Sequence, residues 1–279
     1  MAIVTFWSKN IGNNAQTSSL LASALQMAID RNLKILVLDA DFNKSAIKEA
    51  FIAMNDEKEA LTKQLNMGKI DISTGLEGVL SAIGSNKTSP EVVKSFSVPI
   101  FTDRLDIMYG FRTNDLRVYT NEMFKVQELL KVANQYYDLI YVDLYKGETE
   151  FTLPILELSD LIIYPLAQDI KQITEFNSLW GVSEVLKNKV KVIPIIGKED
   201  SFSKYNCDNV ARKIGMKPGM SSVVYNTLYM EALQEGKIVD LFMMFNNQSS
   251  TQRNNYILRT VEDLNLLILD RIQQLRYQR

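Results

Sequence analysis

The sequence contains no histidine and a single cysteine, Cys207. Without histidine, imidazole acid–base chemistry, Ser-His and Cys-His nucleophiles and most zinc sites are excluded. A lone cysteine forms no internal disulfide and fits a reducing compartment, so the cytoplasm is the expected location. No apolar run reaches the roughly 18 residues that a bilayer span needs. Met1 to Trp7 are apolar but run straight into a polar turn, and read as a buried strand rather than a secretory segment. The formal net charge is only −2, so no global field steers the chain to nucleic acid. The chemistry left open rests on carboxylates, lysines, backbone amides or a metal held by oxygens.

What is present is an ordinary globular composition, 46% hydrophobic and 23% charged over 279 residues. That length suits one large α/β domain, and a single domain over 1–279 is expected. Short apolar runs rich in Val, Ile and Tyr fall at 3–7, 33–39, 105–109, 139–143, 161–165, 190–196 and 222–225. Most are apolar on consecutive positions, the pattern of strands covered on both faces. Amphipathic stretches between them predict helices over 17–31, 45–63, 120–135, 170–187, 204–214 and 251–276. This alternation predicts a doubly wound, mostly parallel sheet flanked by helices. The segment 55–99 has weaker periodicity and reads as an irregular helical excursion. Ligands of such sheets bind beyond the carboxyl ends of the strands, which directs attention to the residues after Trp7, Leu38, Val142, Pro165, Ile196 and Tyr225.

After the first strand comes Ser8-Lys9-Asn10-Ile11-Gly12-Asn13-Asn14-Ala15-Gln16-Thr17-Ser18-Ser19. A small-residue loop between a first strand and a first helix can cradle phosphates with its amides, with a Ser or Thr hydroxyl on Mg²⁺. This loop fails the G-x-x-x-x-G-K-[ST] pattern. Taken alone it reads rather as a strand-to-helix turn with Thr17 or Ser18 as N-cap.

The rest of the chain changes that weighting. Leu38-Asp39-Ala40-Asp41-Phe42, Tyr137-Asp138-Leu139-Ile140-Tyr141-Val142-Asp143, Ser159-Asp160-Leu161-Ile162-Ile163-Tyr164-Pro165-Leu166 and Leu105-Asp106-Ile107-Met108-Tyr109-Gly110 resemble, in turn, the D-x-D stretch, the Walker B strand, the A-D-x-x-x-x-P strand and the L-x-x-L-P-G strand of the ParA/MinD group of P-loop ATPases. The resemblance covers nearly the whole chain. It is strongest to the TadZ/CpaE-like proteins of Tad-type pilus systems in Clostridia-type bacteria, through Phe6-Trp7-Ser8 with Gly12 and Thr17-Ser18, through 198–206, and through 225–232 with 235–242. The resemblance implies ATP and Mg²⁺ as cofactors. It places Gly12, Asn13, Asn14, Ala15, Gln16, Thr17 and Ser18 at the phosphates, and Thr17, Asp41 and Asp143 at the metal, with the two aspartates also the catalytic carboxylates. Lys198, Asp200, Tyr225 and Asn226, after the two late strands, fall at the base. Aspartates capping turns remain the plain alternative for Asp41 and Asp143. Asp39 is either a neighbour of the metal or a structural acceptor.

Where the family loop carries two lysines, this one has Ile11 and Gln16. A glutamine donates a hydrogen bond but no charge, and losing one transition-state contact of this kind costs on the order of 3–4 kcal/mol in the barrier. Hydrolysis is expected to be slow or absent. Binding is expected to survive better, through loop amides and Mg²⁺. Ala15 tolerates left-handed angles poorly, which opposes closure of the loop. Lys9 offers a charge two positions early, with a solvated loop lysine as its ordinary role.

Ile257, Val261, Leu264, Leu267 or Ile268, Ile272 and Leu275 recur at helical spacing near the end. They predict a last helix that covers the sheet, rather than a membrane-surface helix. Two functions follow from the resemblance. One is an ATP-responsive, face-to-face homodimer that positions a surface-appendage or secretion machine and hydrolyses weakly or not at all. The other is a pseudo-ATPase scaffold that binds protein partners without nucleotide. A ParA-like DNA segregation ATPase is a third reading, and the spread charge sets DNA aside as a partner. An iron–sulfur reductase on the same scaffold needs paired cysteines.

Overall fold

The computed structural model describes residues 1–9, 13–42, 46–52, 75–85, 89–216, 219–247 and 255–277. Eight strands form one sheet: β1 (Ala2–Phe6), β2 (Ile35–Ala40), β3 (Val98–Phe101), β4 (Leu105–Met108), β5 (Leu139–Leu144), β6 (Leu161–Leu166), β7 (Val192–Glu199) and β8 (Ser221–Val224). Their order is β3-β4-β2-β5-β1-β6-β7-β8. All pairings are parallel except β3 with β4. Every residue of β1, β2, β5 and β6 is buried, so the consecutive apolar runs have the cause expected of them: each strand needs an apolar cover on both sides.

Two cores result. On one face Val4, Phe6, Ile35, Val37, Tyr141 and Ile163 pack under α1 (Gln16–Asp30), α2 (Ala46–Phe51), α10 (Thr227–Glu235), α11 (Ile238–Asn247) and α12 (Asn255–Tyr277). On the other, Trp7, Leu36, Leu38, Ile140 and Val142 pack under α3 (Leu76–Gly84), α4 (Pro90–Phe96), α5 (Leu116–Met123), α6 (Val126–Ala133), α7 (Leu153–Leu158), α8 (Ile170–Leu179) and α9 (Cys207–Lys213). The expected doubly wound, mostly parallel sheet is the observed one.

Several boundaries differ from the sequence reading. The helix predicted over 120–135 is two helices. It begins early, at Leu116, because the Asp115 carboxylate accepts from the Arg117 amide at 2.9 Å, and it breaks at Phe124 and Lys125. The helix predicted over 170–187 stops at Leu179, ahead of Gly181, whose φ of +80° ends the helical turn. Of the helix predicted over 45–63, α2 accounts for 46–51, and 53–63 lies outside the described residues. The described part of the irregular excursion is ordered as α3, α4 and the antiparallel edge strand β3, where Pro99 is exposed. The helices α10 and α11 fall where no helix was predicted.

The apolar stripe of α12 is buried at Ile257, Val261, Leu264, Ile268 and Ile272. It packs on β8, β6 and α1. Within that contact the Asn265 amide donates to the Ser23 carbonyl at 3.1 Å, which fixes α12 against the first helix. The last helix therefore covers the sheet. No described helix is long and apolar enough to cross a membrane.

Candidate functional site

The carboxyl ends of β1, β2, β5 and β6 lie side by side, and the loop after β1 folds across them. Its walls are tied to two neighbouring loops. The Trp7 indole donates to the Gly147 carbonyl at 3.1 Å, and the Gly147 amide donates to the Ser8 carbonyl at 3.0 Å. The Asn14 amide nitrogen donates to Ser8 Oγ at 2.7 Å and to the Pro165 carbonyl at 3.2 Å. Ala15 stands at φ 58, ψ 34 and is the residue from which α1 starts. The loop thus takes the left-handed turn that its side chain opposes, at a cost of roughly 1–2 kcal/mol.

Because α1 begins at Gln16, neither Thr17 nor Ser18 is the N-cap, and that alternative is corrected here. Ala15 occupies the cap position, with no side-chain cap. Thr17 and Ser18 are inside the first turn, and the first intrahelical bond is from the Ser19 amide to the Ala15 carbonyl, 2.9 Å. The amides of Gln16, Thr17 and Ser18 come before it and have no intrahelical acceptor. The Thr17 hydroxyl donates to Asp143 Oδ2 at 2.6 Å. Gln16 Nε2 donates to Asp143 Oδ1 at 2.8 Å and to the Leu144 carbonyl at 2.7 Å. Gln16 is 2% exposed, and its Oε1 has no hydrogen-bond partner.

Asp39 and Asp143 are paired in register across β2 and β5. Burial is the main force on both. It pushes Asp143 up to about 6, with repulsion from Asp41 adding and the Thr17 and Gln16 donors opposing. It pushes Asp39 up to about 8, with repulsion from Asp143 adding and the backbone amides of Asp41 and Gly110 opposing. Asp39 thus accepts hydrogen bonds from the backbone amides of Asp41 and Gly110. Asp41 is half-buried at the end of β2, its amide 3.4 Å from Asp39 Oδ1. Among the described residues no three acidic, cysteine or histidine side chains form a metal-binding group.

A cavity of about 290 Å³ opens at the start of α1. It is lined on one side by Asn13, Ala15, Gln16, Thr17 and Ser18, and on the others by Lys146, Lys198 and residues of α2 and α10. Its floor is tight. A Cβ on Gly197 would stand 2.3 Å from the Asn14 carbonyl oxygen, so glycine is required there for β7 to meet the loop. Lys198 Nζ is 3.3 Å from Asn13 Oδ1.

The structure thus brings together Asn13, Asn14, Ala15, Gln16, Thr17, Ser18, Asp143 and Lys198. Gly12 and Ile11 lie outside the described residues. Lys9 pairs with Glu148 at 3.5 Å. The last three of the expected residues are engaged at the next strand ends. Asp200 closes its own turn by accepting from the Phe202 amide at 2.9 Å, and Asn226 caps α10 by accepting from the Tyr229 amide at 3.0 Å. Tyr225 is exposed, its amide bonded to the Glu199 carbonyl. Lys146, Gly110 and Gly197 were missed. The signal for Lys146 was available, since it lies three residues beyond Asp143. Nothing in one sequence marks a glycine as a packing floor.

No family model and no curated protein matches the chain by sequence. Solved structures do match it along its length. A ParA family ATPase from Chlorobium tepidum superposes with a TM-score of 0.69 at 15% identity, over 95% of this chain and 97% of that one. The fold is that of the ParA and MinD ATPases. The septum site-determining protein MinD complexed with Mg-ADP, from Pyrococcus horikoshii, gives 0.66 at 16%, over 97% and 99%. A chain of the MinC:MinD cell division protein complex of Aquifex aeolicus gives 0.61 at 14%, over 94% and 95%. At these identities the likeness establishes the ParA/MinD-like fold alone.

Proposed function

We propose that this chain is a nucleotide-responsive positioning factor of the ParA/MinD kind that binds Mg-ATP and turns it over slowly or not at all. The observation that carries the reading is the Thr17–Asp143 pair, a hydroxyl and a buried carboxylate 2.6 Å apart at the start of the first helix. The donor set fits a Mg²⁺-nucleotide: a hydroxyl ligand, a carboxylate to hold metal-bound water, open helix amides, and an unpartnered Gln16 carbonyl oxygen beside them. Bound Mg-ATP would supply a phosphoryl group activated toward water.

The residues of this chain divide the remaining work. Thr17 and Asp143 hold the metal side. Asn13, Ala15, Ser18 and the helix amides orient the phosphates. Asp41 stands ready at the end of β2 to place a water. Gln16 sets the limit on turnover. Its amide is held by Asp143 and Leu144, and it carries no charge with which to stabilise a transition state. A switch of this kind works by occupancy, with nucleotide exchange rather than hydrolysis setting its lifetime. The MinD neighbour that carries Mg-ADP and the one complexed with MinC support a nucleotide-linked role with protein partners. The TadZ/CpaE-like runs of the sequence support a surface-appendage or secretion machine as the object positioned, and a homodimer as the working form.

A second reading is a scaffold that has lost nucleotide, favoured by the way Gln16 closes onto Asp143 from inside the loop. Titration calorimetry separates the two. Mg²⁺-dependent binding of ATP, with little phosphate release by the wild type and more by Gln16→Lys, is the expected result. No heat with ATP or ADP, and no change in oligomeric state, would remove the switch and leave the scaffold.

A further inference from the structure

We propose that Lys198, at the end of β7, is the phosphate-binding cation of this site and stands in for the lysine that the loop lacks at position 16. The proposal deepens the nucleotide reading and rests on it.

Lys198 reaches the loop from the opposite wall of the cavity, with Nζ 3.3 Å from Asn13 Oδ1, and it lines the same space as Gln16, Thr17 and Ser18. Its backbone is left-handed, at φ 52, a conformation that costs a residue with a Cβ roughly 1–2 kcal/mol. The register between β7 and β8 shifts between Gly197 and Glu199, and an irregularity of this kind re-aims the side chain inside it. The strain cannot relax by withdrawal. Gly197 is pressed against Asn14 and Ala15, while Glu199 is buried and held by the Cys207 amide at 2.6 Å and the Ser222 hydroxyl at 2.5 Å. One lysine between two fixed residues is thereby held in the cavity at the start of α1, with its ammonium at Asn13. Strained backbone held by rigid surroundings is characteristic of ligand clamps.

The other candidates for the charge are otherwise engaged. Gln16 is neutral and tied to Asp143. Lys9 is paired with Glu148. Lys146 lines the same cavity and bears on Asp143 by its charge, so it complements Lys198. An ammonium facing the start of a helix meets the phosphate end of a nucleotide, since that is where the helix amides attract anions. Lys198 is thus assigned to phosphate rather than to the base.

Calorimetry with Mg-tripolyphosphate, ATP and AMP tests this on the wild type, Lys198→Met and Lys198→Gly. The expected result is that both variants lose tripolyphosphate and ATP by about tenfold or more, the size of a charge-assisted contact, while AMP changes little. Lys198→Gly also relieves the left-handed strain, so it should melt no lower than the wild type. Loss of binding with retained stability separates a ligand contact from a structural one. Equal weakening of ATP and AMP would assign Lys198 to the base and overturn the proposal, as would unchanged tripolyphosphate binding. If the wild type binds ATP but no tripolyphosphate, the assignment of Lys198 falls and the nucleotide reading stands. If the wild type binds neither, both fall.

Discussion

Asp39 and Asp143 stand opposite one another at the ends of adjacent strands, equally buried, yet they are held by different kinds of partner. Asp143 takes side-chain donors from the start of α1, Gln16 and Thr17. Asp39 takes backbone donors, from Asp41 and Gly110. The side-chain donors oppose the upward push of burial on Asp143, which stands at about 6, while Asp39 is pushed further, to about 8. Two carboxylates facing each other in low dielectric do not both ionise. Side-chain donors from the helix favour the charge on Asp143. The difference teaches that the acidic edge of this sheet is asymmetric: one aspartate is tied to the start of α1 by side chains and its neighbour is tied to the backbone.

The largest way to break the comparison is Gly110→Ala. Its Cβ would stand 2.9 Å from Asp39 Cγ and 3.0 Å from the Asp39 carbonyl oxygen, a clash with backbone and with a buried carboxyl at once. A loss of about 2–3 kcal/mol is expected in denaturant unfolding. Gly84→Ala, at the end of α3 with nothing within 4 Å, is the matched control and should cost nothing. Equal effects from the two would show that Asp39 is not packed as described.

A smaller, pH-dependent effect distinguishes the two carboxylates by charge. Asp39 binds its proton more tightly in the folded state, about 8 against an unfolded value near 4, so the stability it contributes is complete below about pH 4 and is lost as pH rises toward 8. Asn at position 39 mimics the protonated form and still offers an oxygen to both amides. Asp39→Asn should therefore flatten the decline in stability between pH 5 and 8, and its advantage over wild type should grow with pH to a few kcal/mol. Denaturation midpoints at a series of pH values read this directly. A wild type with no slope over that range would mean that Asp39 is ionised throughout.

The frame was more legible in the sequence than the site's charge. Runs such as 139–143 and 161–165 are apolar on every position because helices cover both faces, and that pattern survives in any order of strands. Asp143 at the end of such a run, and a Thr behind a small-residue loop, mark the site's position by local spacing. Register is not local, so nothing in one sequence sets Asp39 opposite Asp143 or brings Lys198 to within hydrogen-bonding distance of Asn13. The helix predicted over 120–135 shows the same limit on a smaller scale: its apolar spacing continues past Phe124 although the backbone does not.

The smallest expected effect probes what brings the donors to Asp143. Ala15 holds φ 58 only because Asn14 is tied to Ser8 and Pro165 on one side and α1 begins on the other. Glycine adopts that conformation freely, which would relieve roughly 1–2 kcal/mol of strain, but it enlarges the entropy of the unfolded chain by roughly 0.5–1 kcal/mol. The two nearly offset. Ala15→Gly should be neutral to stabilising by about 1 kcal/mol in thermal or denaturant melts, with Gln16 and Thr17 still on Asp143. A destabilised variant would mean that the Ala15 methyl, which packs close to Gly197, matters more to the loop than its strained backbone does. The Asp143 side of the comparison would then be set by packing against β7 rather than by the turn itself.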